Sequence, residues 1–499
     1  MASSPPVPEL AEPATACAER LLAADSVVLA SHIDADGLTS AAIAATALER
    51  AGIRFETVFS KQLDEDEIAA IAATDHETVL FTDFGSGQLG IIADHETAGD
   101  FTPVIADHHQ PADATTEYHL NPLLYGLDGA TELSGAGAAY VLARAMGATH
   151  SAADGTTRSA TDGGVTADVS TADGPAQDNR DLAGLAVVGA VGDRQAGVDG
   201  LTGANEAIVE EGVAAGVVEA GTDITLYGKQ TRPLPKLLEY ATEPQIPGIS
   251  NDTAGAIDFL TDLDLELETD DGWRCWVDLT DTERQTLLSE LIQRAVASGV
   301  PADRIDDLVG TSYQLTREEP GTVLRDASEF STLLNATARY ERADVGLAVC
   351  LGDRAAAFEQ ARTLLRTHRK NLSQGVDWVT SEGVTTEDNV QWFDAGDEIR
   401  ATILGIIAGM AIGESGIRRE LPIIGFAEKS TEEIKVSARG NHTLTAKGLD
   451  LSVVMRDAAR AVDGDGGGHD VAAGATIPAG EQSAFVAVAD ELVGEQLSS

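Results

Sequence analysis

Lysine and arginine are scarce in this sequence: 33 of them stand against 82 acids in 499 residues, a formal net charge of −49 at pH 7. The shortage excludes the broad basic face by which most nucleic-acid-binding proteins hold their ligand, unless bound cations and a local basic patch meet the phosphates instead. An ordinary protein with so much charge of one sign would be pushed apart by self-repulsion. At molar salt, however, the Debye length is about 3 Å and surface charges scarcely sense one another. The acids run along the whole chain and are not gathered in a tail, so the composition reads as halophilic, an adaptation to a cytosol of high ionic strength. Cysteine is nearly absent. Cys17, Cys275 and Cys350 are too widely spaced for a disulfide framework or a zinc knuckle, and suit a reducing compartment. Aromatics are only 4% of residues, too sparse to mark a base-stacking platform. No leader-like segment opens the chain, and no apolar run reaches the roughly 20 residues of a membrane helix. The expectation is a cytoplasmic protein with no membrane partner.

Strand and helix signals alternate over the first part of the chain. "SVVLAS", "FETVFS", "TVLFTD" and "TPVIAD" read as strands, and "LTSAAIAATALERAG" as a helix closed by Gly52. That alternation predicts an α/β fold with a parallel sheet covered on both faces. Residues 1–20 read as an N-terminal tail shading into a helix, and 21–215 as the first domain. Within it, 147–179 is almost all Thr, Ser, Ala, Gly and Asp and is expected to be a disordered acidic loop. Residues 216–325 read as a helical middle section, with "TDTERQTLLSELIQRAVASGV" a capped amphipathic helix. A smaller α/β domain is expected over 326–499. There "VGLAVCLG" reads as a strand, and "PIIGFAE" and "EIKVSARG" as strands facing each other across "KSTE".

Four segments carry the polar groups. "SHIDADG" delivers His32, Asp34 and Asp36 at the end of a strand, with Gly37 allowing a tight turn into the next helix. "LFTDFGSGQ" ends a strand on Asp83, and "VIADHHQP" ends another on Asp107, His108 and His109. "LAVVGAVGDRQ" brings Asp193 and Arg194 after an apolar run that periodicity leaves open between strand and buried helix. Any one aspartate among these reads equally well as a turn or cap residue. Together, five carboxylates and three histidines arrive at the ends of successive core elements, where open α/β sheets bind ligands. Carboxylates so crowded need a cation among them, and the number of groups suits two ions sharing a bridging carboxylate. Imidazole with carboxylate suits Mn, Fe or Zn.

"HIDADG", "TDFGSGQ", "ADHHQP" and "VGDR", in this order, resemble the four motifs of the DHH phosphoesterase superfamily, and "VSARG" with "GGGHDVAAG" resembles its DHH-associated domain. Within the superfamily the chain is similar to archaeal RecJ-like single-strand exonucleases, although many bacterial RecJ proteins carry an aspartate where His32 opens the first motif. The resemblance implies a DHH catalytic domain, a DHH-associated substrate-binding domain and two divalent cations, Mn2+ or Mg2+. It implies that His32 and Asp34 hold one ion, that Asp36, His108 and Asp193 hold the other, and that Asp83 bridges them. Asp107 would orient a ligand imidazole, and His109 would contact the scissile phosphate and donate to the leaving oxygen, so that Asp107, His108 and His109 form the catalytic group. Arg194 would neutralise a phosphate. In the second domain Ser437, Arg439 and His469 would hold the nucleotide chain, with Gly466, Gly467 and Gly468 as a backbone anion nest. "LLRTHRKNL", with Arg366, Arg369 and Lys370, is the densest basic cluster.

The activity so implied is hydrolysis of single-stranded DNA or RNA from an end, in DNA repair or replication. One rival is a phosphodiesterase for short oligoribonucleotides or cyclic dinucleotides. Another is a binding component of the replication complex, with helicase-associated partners such as GINS, because the superfamily includes an inactive helicase partner.

Overall fold

The computed structural model describes residues 5–158, 178–241, 244–270 and 272–498. The chain divides into two compact units, Met1–Arg362 and Thr363–Ser499.

The first unit is built on a sheet of five parallel strands in the order β2-β1-β3-β4-β5. These are β1 (Ser26–His32), β2 (Arg54–Ser60), β3 (Thr78–Thr82), β4 (Thr102–Ala106) and β5 (His119–Leu120). Around them lie α1 (Ala11–Leu22), α2 (Ala35–Arg50), α3 (Glu65–Ala72), α4 (Leu89–Ala98), α5 (Gly135–Arg158), α6 (Ala183–Gly192) and α7 (Gly203–Ala214). Val28, Ala30, Val79, Phe81 and Ile105 meet Ile68 of α3 and Leu89 and Ile92 of α4 on one face. Alternation turns Val27, Leu29, Leu80 and Val104 to the other face, where α1, α2 and α5 contact the sheet. Burial on both sides is why these strands read as unbroken apolar runs. Because all five run the same way, their carboxyl ends share one edge.

Between β6 (Val218–Ile224) and its antiparallel partner β9 (Val309–Leu315) lie α8 (Leu234–Glu239), α9 (Thr253–Thr261), a short ribbon of β7 (Glu268–Thr269) and β8 (Gly272–Trp273), α10 (Asp281–Ala297) and α11 (Ala302–Asp306). Leu234, Leu237, Trp276, Leu287 and Leu291 form their own core. Thr280 starts α10 with a capping box: its hydroxyl accepts from Glu283 N–H, and the Glu283 carboxylate accepts from Thr280 N–H. The unit closes with α12 (Ala327–Arg339), α13 (Ala343–Cys350) and the start of α14 (Ala356–Glu382).

In the second unit β10 (Thr385–Thr386), β11 (Gln391–Asp394), β12 (Ile423–Glu428), β13 (Glu433–Arg439), β14 (Asp465–Gly468) and β15 (Ala472–Pro478) form a mixed sheet ordered β10-β11-β12-β13-β15-β14. Ile434, Val436, Ala438, Ala473, Ala475 and Ile477 face the core shared with α17 (Leu451–Arg460) and α18 (Gln482–Leu497). The opposite face meets α15 (Leu404–Ala411), and the four-residue α16 (His442–Thr445) precedes α17. No helix among the described residues is long and apolar enough to cross a membrane.

Several expectations change. "VGLAVCLG" is not a strand but α13 and belongs to the first unit, which runs on to Arg362, past the boundary expected before 326. A short unbroken apolar run fits either element, and here Gly346 lets the helix approach α2 and α12. A methyl on Gly346 would stand 2.6 Å from Thr337 Oγ1 and 2.7 Å from Leu38 Cδ1. The tail expected to shade into a helix does so at Ala11, where α1 begins, and it is packed in: Leu10, Cys17, Ala18 and Leu21 are fully buried. The expected loop at 147–179 begins as helix, since α5 runs on to Arg158. It ends in a fixed residue, Asn179, whose Nδ2 donates to Ala143 O at 2.7 Å. Residues 159–177 lie outside the described residues. The open reading of "LAVVGAVG" resolves to a buried helix, α6.

Candidate metal centre

His32 is the last residue of β1, Asp83 follows β3 and Asp107 follows β4, so three strand ends carry three of the groups to one edge of the sheet. Asp34 caps α2, accepting from Gly37 N–H at 3.0 Å, and Asp36 lies in the first turn of that helix. Gly37 itself is helical, and its requirement is a close crossing: a methyl there would meet the His32 carbonyl oxygen at 2.2 Å. Asp193 ends α6, a helix brought close by Gly189, where a methyl would stand 2.4 Å from Asp36 Oδ1.

The side chains converge as two triads about Asp83. One is His32, Asp34 and Asp83, and the other Asp36, His108 and Asp193, each with ligand atoms within 4.8 Å of one another; Asp83, Asp107, His108 and His109 form a further such group. His32 Nδ1 lies 3.2 Å from Asp34 Oδ1 and 3.5 Å from Asp83 Oδ2. His108 Nε2 lies 3.3 Å from Asp83 Oδ1 and 3.8 Å from Asp36 Oδ2. Asp83 thus turns one oxygen toward each histidine. The His108 Nδ1–H donates to the Gly129 carbonyl at 2.7 Å, which fixes the ring with Nε2 facing the carboxylates.

The electrostatics are those of a site built around positive charge. Burial lifts the Asp36 carboxyl well above its ordinary range, and repulsion from Asp83 and Asp193 adds to it. Burial also raises Asp193, against the pull of His108. For Asp83 burial works the same way but loses to His108 and His32, which hold it low. Burial would lower His32, yet Asp34 and Asp83 push it up to about 11, and Asp83 likewise raises His108. Asp83 Oδ1 is buried without a hydrogen-bond partner, although His108 Nε2 stands 3.3 Å away. An orphaned oxygen on a buried carboxylate set between two imidazoles, amid clustered acids, fits divalent-cation binding.

Asp107 plays a different part. Its oxygens accept from Ser86 N–H at 2.9 Å, His108 N–H at 2.8 Å and His109 Nδ1 at 2.8 Å. Burial would raise its carboxyl, but the bond to His109 and the charges of His109 and His108 hold it at about 2. The His109 ring packs on that of His108, with centroids 4.3 Å apart, yet remains 55% exposed. Arg194, exposed and in the left-handed region at φ 63°, has no ion pair among the described residues.

Other residues hold the site and were not foreseen. The amino end of α5 grips Asp36: Gly135 N–H donates at 2.7 Å and Ala136 N–H at 3.0 Å. Gln195 donates to Asp193 Oδ2 and Gly129 O, both at 2.9 Å, and is itself fixed by Asn205 at 2.6 Å. Asn335 of α12 accepts from Ala35 N–H at 3.1 Å. A serine followed by small residues at a helix start ("LSGAG") and a polar residue beside Asp193 were the available signals.

In the second unit, Ser437 and Arg439 lie on β13 facing α15, with the guanidinium along Gly405 and Gly409. The expected nest is not formed. Gly466, Gly467 and Gly468 are the extended edge strand β14, paired with Ala475, Gly474 and Ala473 of β15, so part of their N–H complement is spent in the ladder. His469 begins the turn, its N–H donating to Ala472 O at 2.9 Å.

Comparison with known proteins agrees with this architecture. Residues 26–161 match the DHH family N-terminal domain, 226–309 the DHH-CID domain and 387–495 the DHHA1 domain. An uncharacterized protein of Methanocaldococcus jannaschii is 29% identical over 94% of this chain and 93% of its own length. RecJ of Thermus thermophilus in complex with Mn2+ aligns at a TM-score of 0.59 and 17% identity, covering 99% of this chain and 56% of that longer one. The same protein in complex with Mg2+ gives 0.53 at 17% identity, over 99% and 54%. CDC45 of Entamoeba histolytica gives 0.62 at 11% identity, over 97% and 98%. The chain is a member of the DHH superfamily.

Proposed function

We propose that this protein is a metal-dependent phosphodiesterase that trims single-stranded DNA or RNA from an end. The observation that carries the reading is the pair of triads, His32–Asp34–Asp83 and Asp36–His108–Asp193, joined where Asp83 Oδ1 comes within 3.3 Å of His108 Nε2. His32 and Asp34 would hold one cation, Asp36, His108 and Asp193 the other, and Asp83 would serve both. Bound as a pair, Mn2+ or Mg2+ supplies Lewis acidity toward a phosphoryl oxygen and lowers the pKa of water. The chain's own residues do the rest. The backbone grip of α5 and the Gly129 carbonyl fix Asp36 and His108 before any ligand arrives, so little reorganisation remains at the moment of reaction. Asp107 anchors His109 through Nδ1, leaving Nε2 free at an exposed edge to donate a proton to the departing oxygen. Arg194, without a competing acid, neutralises a phosphate of the substrate. Ser437, Arg439 and His469 contribute to holding the nucleotide chain.

The test is an assay of single-stranded DNA and RNA, labelled at each end in turn, with Mn2+, Mg2+ or chelator at high salt. Metal-dependent release of mononucleotides from one end supports the reading, and metal-independent or absent hydrolysis refutes it. The DHH-CID match and the likeness to CDC45 favour a second reading, a component that docks to replication proteins such as GINS. The filled triads weigh toward catalysis. Co-purification with helicase-associated subunits alongside an inactive metal centre would reverse that order.

A further inference from the structure

Behind His109, outside both triads, lies a closed circuit of buried hydrogen bonds. Asn121, fully buried just past β5, has one possible orientation of its amide. Its Oδ1 accepts from Leu123 N–H at 3.0 Å, and its Nδ2 donates to the His109 carbonyl at 2.9 Å. Exchanging the oxygen and nitrogen would break both bonds. The same Nδ2 donates to Ser86 Oγ at 2.9 Å. The Ser86 hydroxyl, also fully buried, must then send its single proton elsewhere. Among the described residues its acceptor is His119 Nε2, at 2.9 Å. Burial lowers the pKa of His119 against the pull of Asp107, which suits a neutral imidazole with Nε2 free to accept.

Ser86 joins this circuit to the catalytic group. Its N–H donates to Asp107 Oδ2 at 2.9 Å and its carbonyl accepts from Ala112 N–H at 2.8 Å, so one residue ties both sides of the turn that carries His108 and His109. Asp107 Oδ1 takes the His109 Nδ1–H at 2.8 Å, while Asn121 holds the His109 carbonyl. Backbone and ring of His109 are thus fixed by two groups that both lead back to Ser86. An imidazole 55% exposed needs such anchors to keep its Nε2 in one place. We propose that Ser86, His119 and Asn121 are positioning residues for His109. The Ser86 hydroxyl, oriented by His119, sets Asn121 on the His109 carbonyl, and the Ser86 N–H sets Asp107, so that Nε2 faces the departing oxygen. All three act through His109 and touch no substrate. The gain is one of alignment, since a displacement of about 1 Å at a reacting group costs up to a hundredfold in rate. This assignment rests on the reading of His109 as the proton donor of a phosphodiesterase.

The leaving group separates positioning from folding. Asn121→Ser keeps a capping oxygen for Leu123 N–H but loses both amide donations. His119→Leu removes the acceptor of the Ser86 hydroxyl, and His119→Gln restores one at similar reach. Each full-length variant is assayed with Mn2+ on a single-stranded oligonucleotide, and on the same strand with sulfur replacing the leaving oxygen of its terminal linkage. A thiolate departs without needing a proton. On the oxygen substrate kcat should fall about tenfold in Asn121→Ser and His119→Leu and recover in His119→Gln. KM, Mn2+ affinity and kcat on the sulfur substrate should stay within about twofold of wild type. Equal losses on both substrates, lost Mn2+ affinity or an unchanged kcat on the oxygen substrate would each overturn the proposal. In chelator, the His109 Nδ1 proton held on Asp107 should give a downfield NMR signal slow to exchange with water in wild type and His119→Gln, and exchange-broadened in the other two variants. A signal equally sharp in all four would overturn the positioning role and leave the hydrolytic reading standing. Wild-type protein inactive on both substrates would sink that reading, and this assignment with it.

Discussion

A methyl group on Gly135 would stand 2.4 Å from Asp83 Oδ1, while the Gly135 N–H donates to Asp36 at 2.7 Å. One glycine thereby anchors a carboxylate of one triad and makes room for the carboxylate of the other. Gly135→Ala should lower Mn2+ affinity about tenfold or more, as loss of a supporting contact does at metal sites. Calorimetric Mn2+ titration reads this directly. Helix propensity favours the alanine, so the thermal midpoint in chelator should not fall much. Wild-type affinity in the variant would show that Asp83 has room to move.

Asp83 has φ 58°, a left-handed conformation that asparagine tolerates far better than alanine. Asp83→Asn should therefore keep its fold and stability while losing about a thousandfold in turnover, roughly 4 kcal/mol of transition-state stabilisation. Asp83→Ala should lose the same activity and in addition about 1 kcal/mol of stability. Denaturant midpoints and turnover on a labelled single strand separate the two effects. Activity within tenfold of wild type in either variant would remove Asp83 from the centre.

Metal removal should destabilise the first unit by mass action. At a free Mn2+ concentration of 100 times the dissociation constant, each site contributes about 2.7 kcal/mol to the folded state. Chelator should lower the thermal midpoint, and readdition of Mn2+ should restore it. Asp83→Asn should show a smaller shift, since both sites lose a ligand. Equal midpoints with and without Mn2+ would contradict a metal centre in this unit.

His109 is packed on His108 and oriented by Asp107; it belongs to neither triad but to a neighbouring group with Asp83, Asp107 and His108. His109→Gln should reduce kcat about a hundredfold or more, as for removal of a general acid. Mn2+ affinity should stay within about twofold of wild type. A fall in metal affinity with kcat preserved would make His109 a ligand instead of a proton donor.

On α15, a methyl on Gly405 would approach Arg439 Nη2 to 2.3 Å. Gly405→Ala should displace the guanidinium and raise KM for an oligonucleotide about tenfold while leaving kcat nearly unchanged. A change in kcat alone would place Arg439 at the reacting phosphate.

The residues at strand ends were legible because β1, β3 and β4 are short apolar runs that stop on polar groups, which places His32, Asp83 and Asp107 without knowledge of the fold. Asp34 shows the limit of that reading: it is both a helix cap and a neighbour of His32. What holds the site was not legible. Gly135 and Asp36 are 99 residues apart, and Asn335 reaches Ala35 across 300. No local pattern encodes such pairs. The "VGLAVCLG" segment misled because its apolar run has no period, and the glycine run of β14 because glycine suits a ladder at a sheet edge as readily as a nest.

The most direct measurement is anomalous X-ray scattering from crystals of the protein grown with Mn2+. Two peaks are expected, one among His32, Asp34 and Asp83, the other among Asp36, His108, Asp193 and Asp83, about 4 Å apart as in two-metal sites. No peak beside Asp83, or Mn2+ bound only elsewhere on this acidic surface, would contradict the dinuclear centre and the hydrolytic function built upon it.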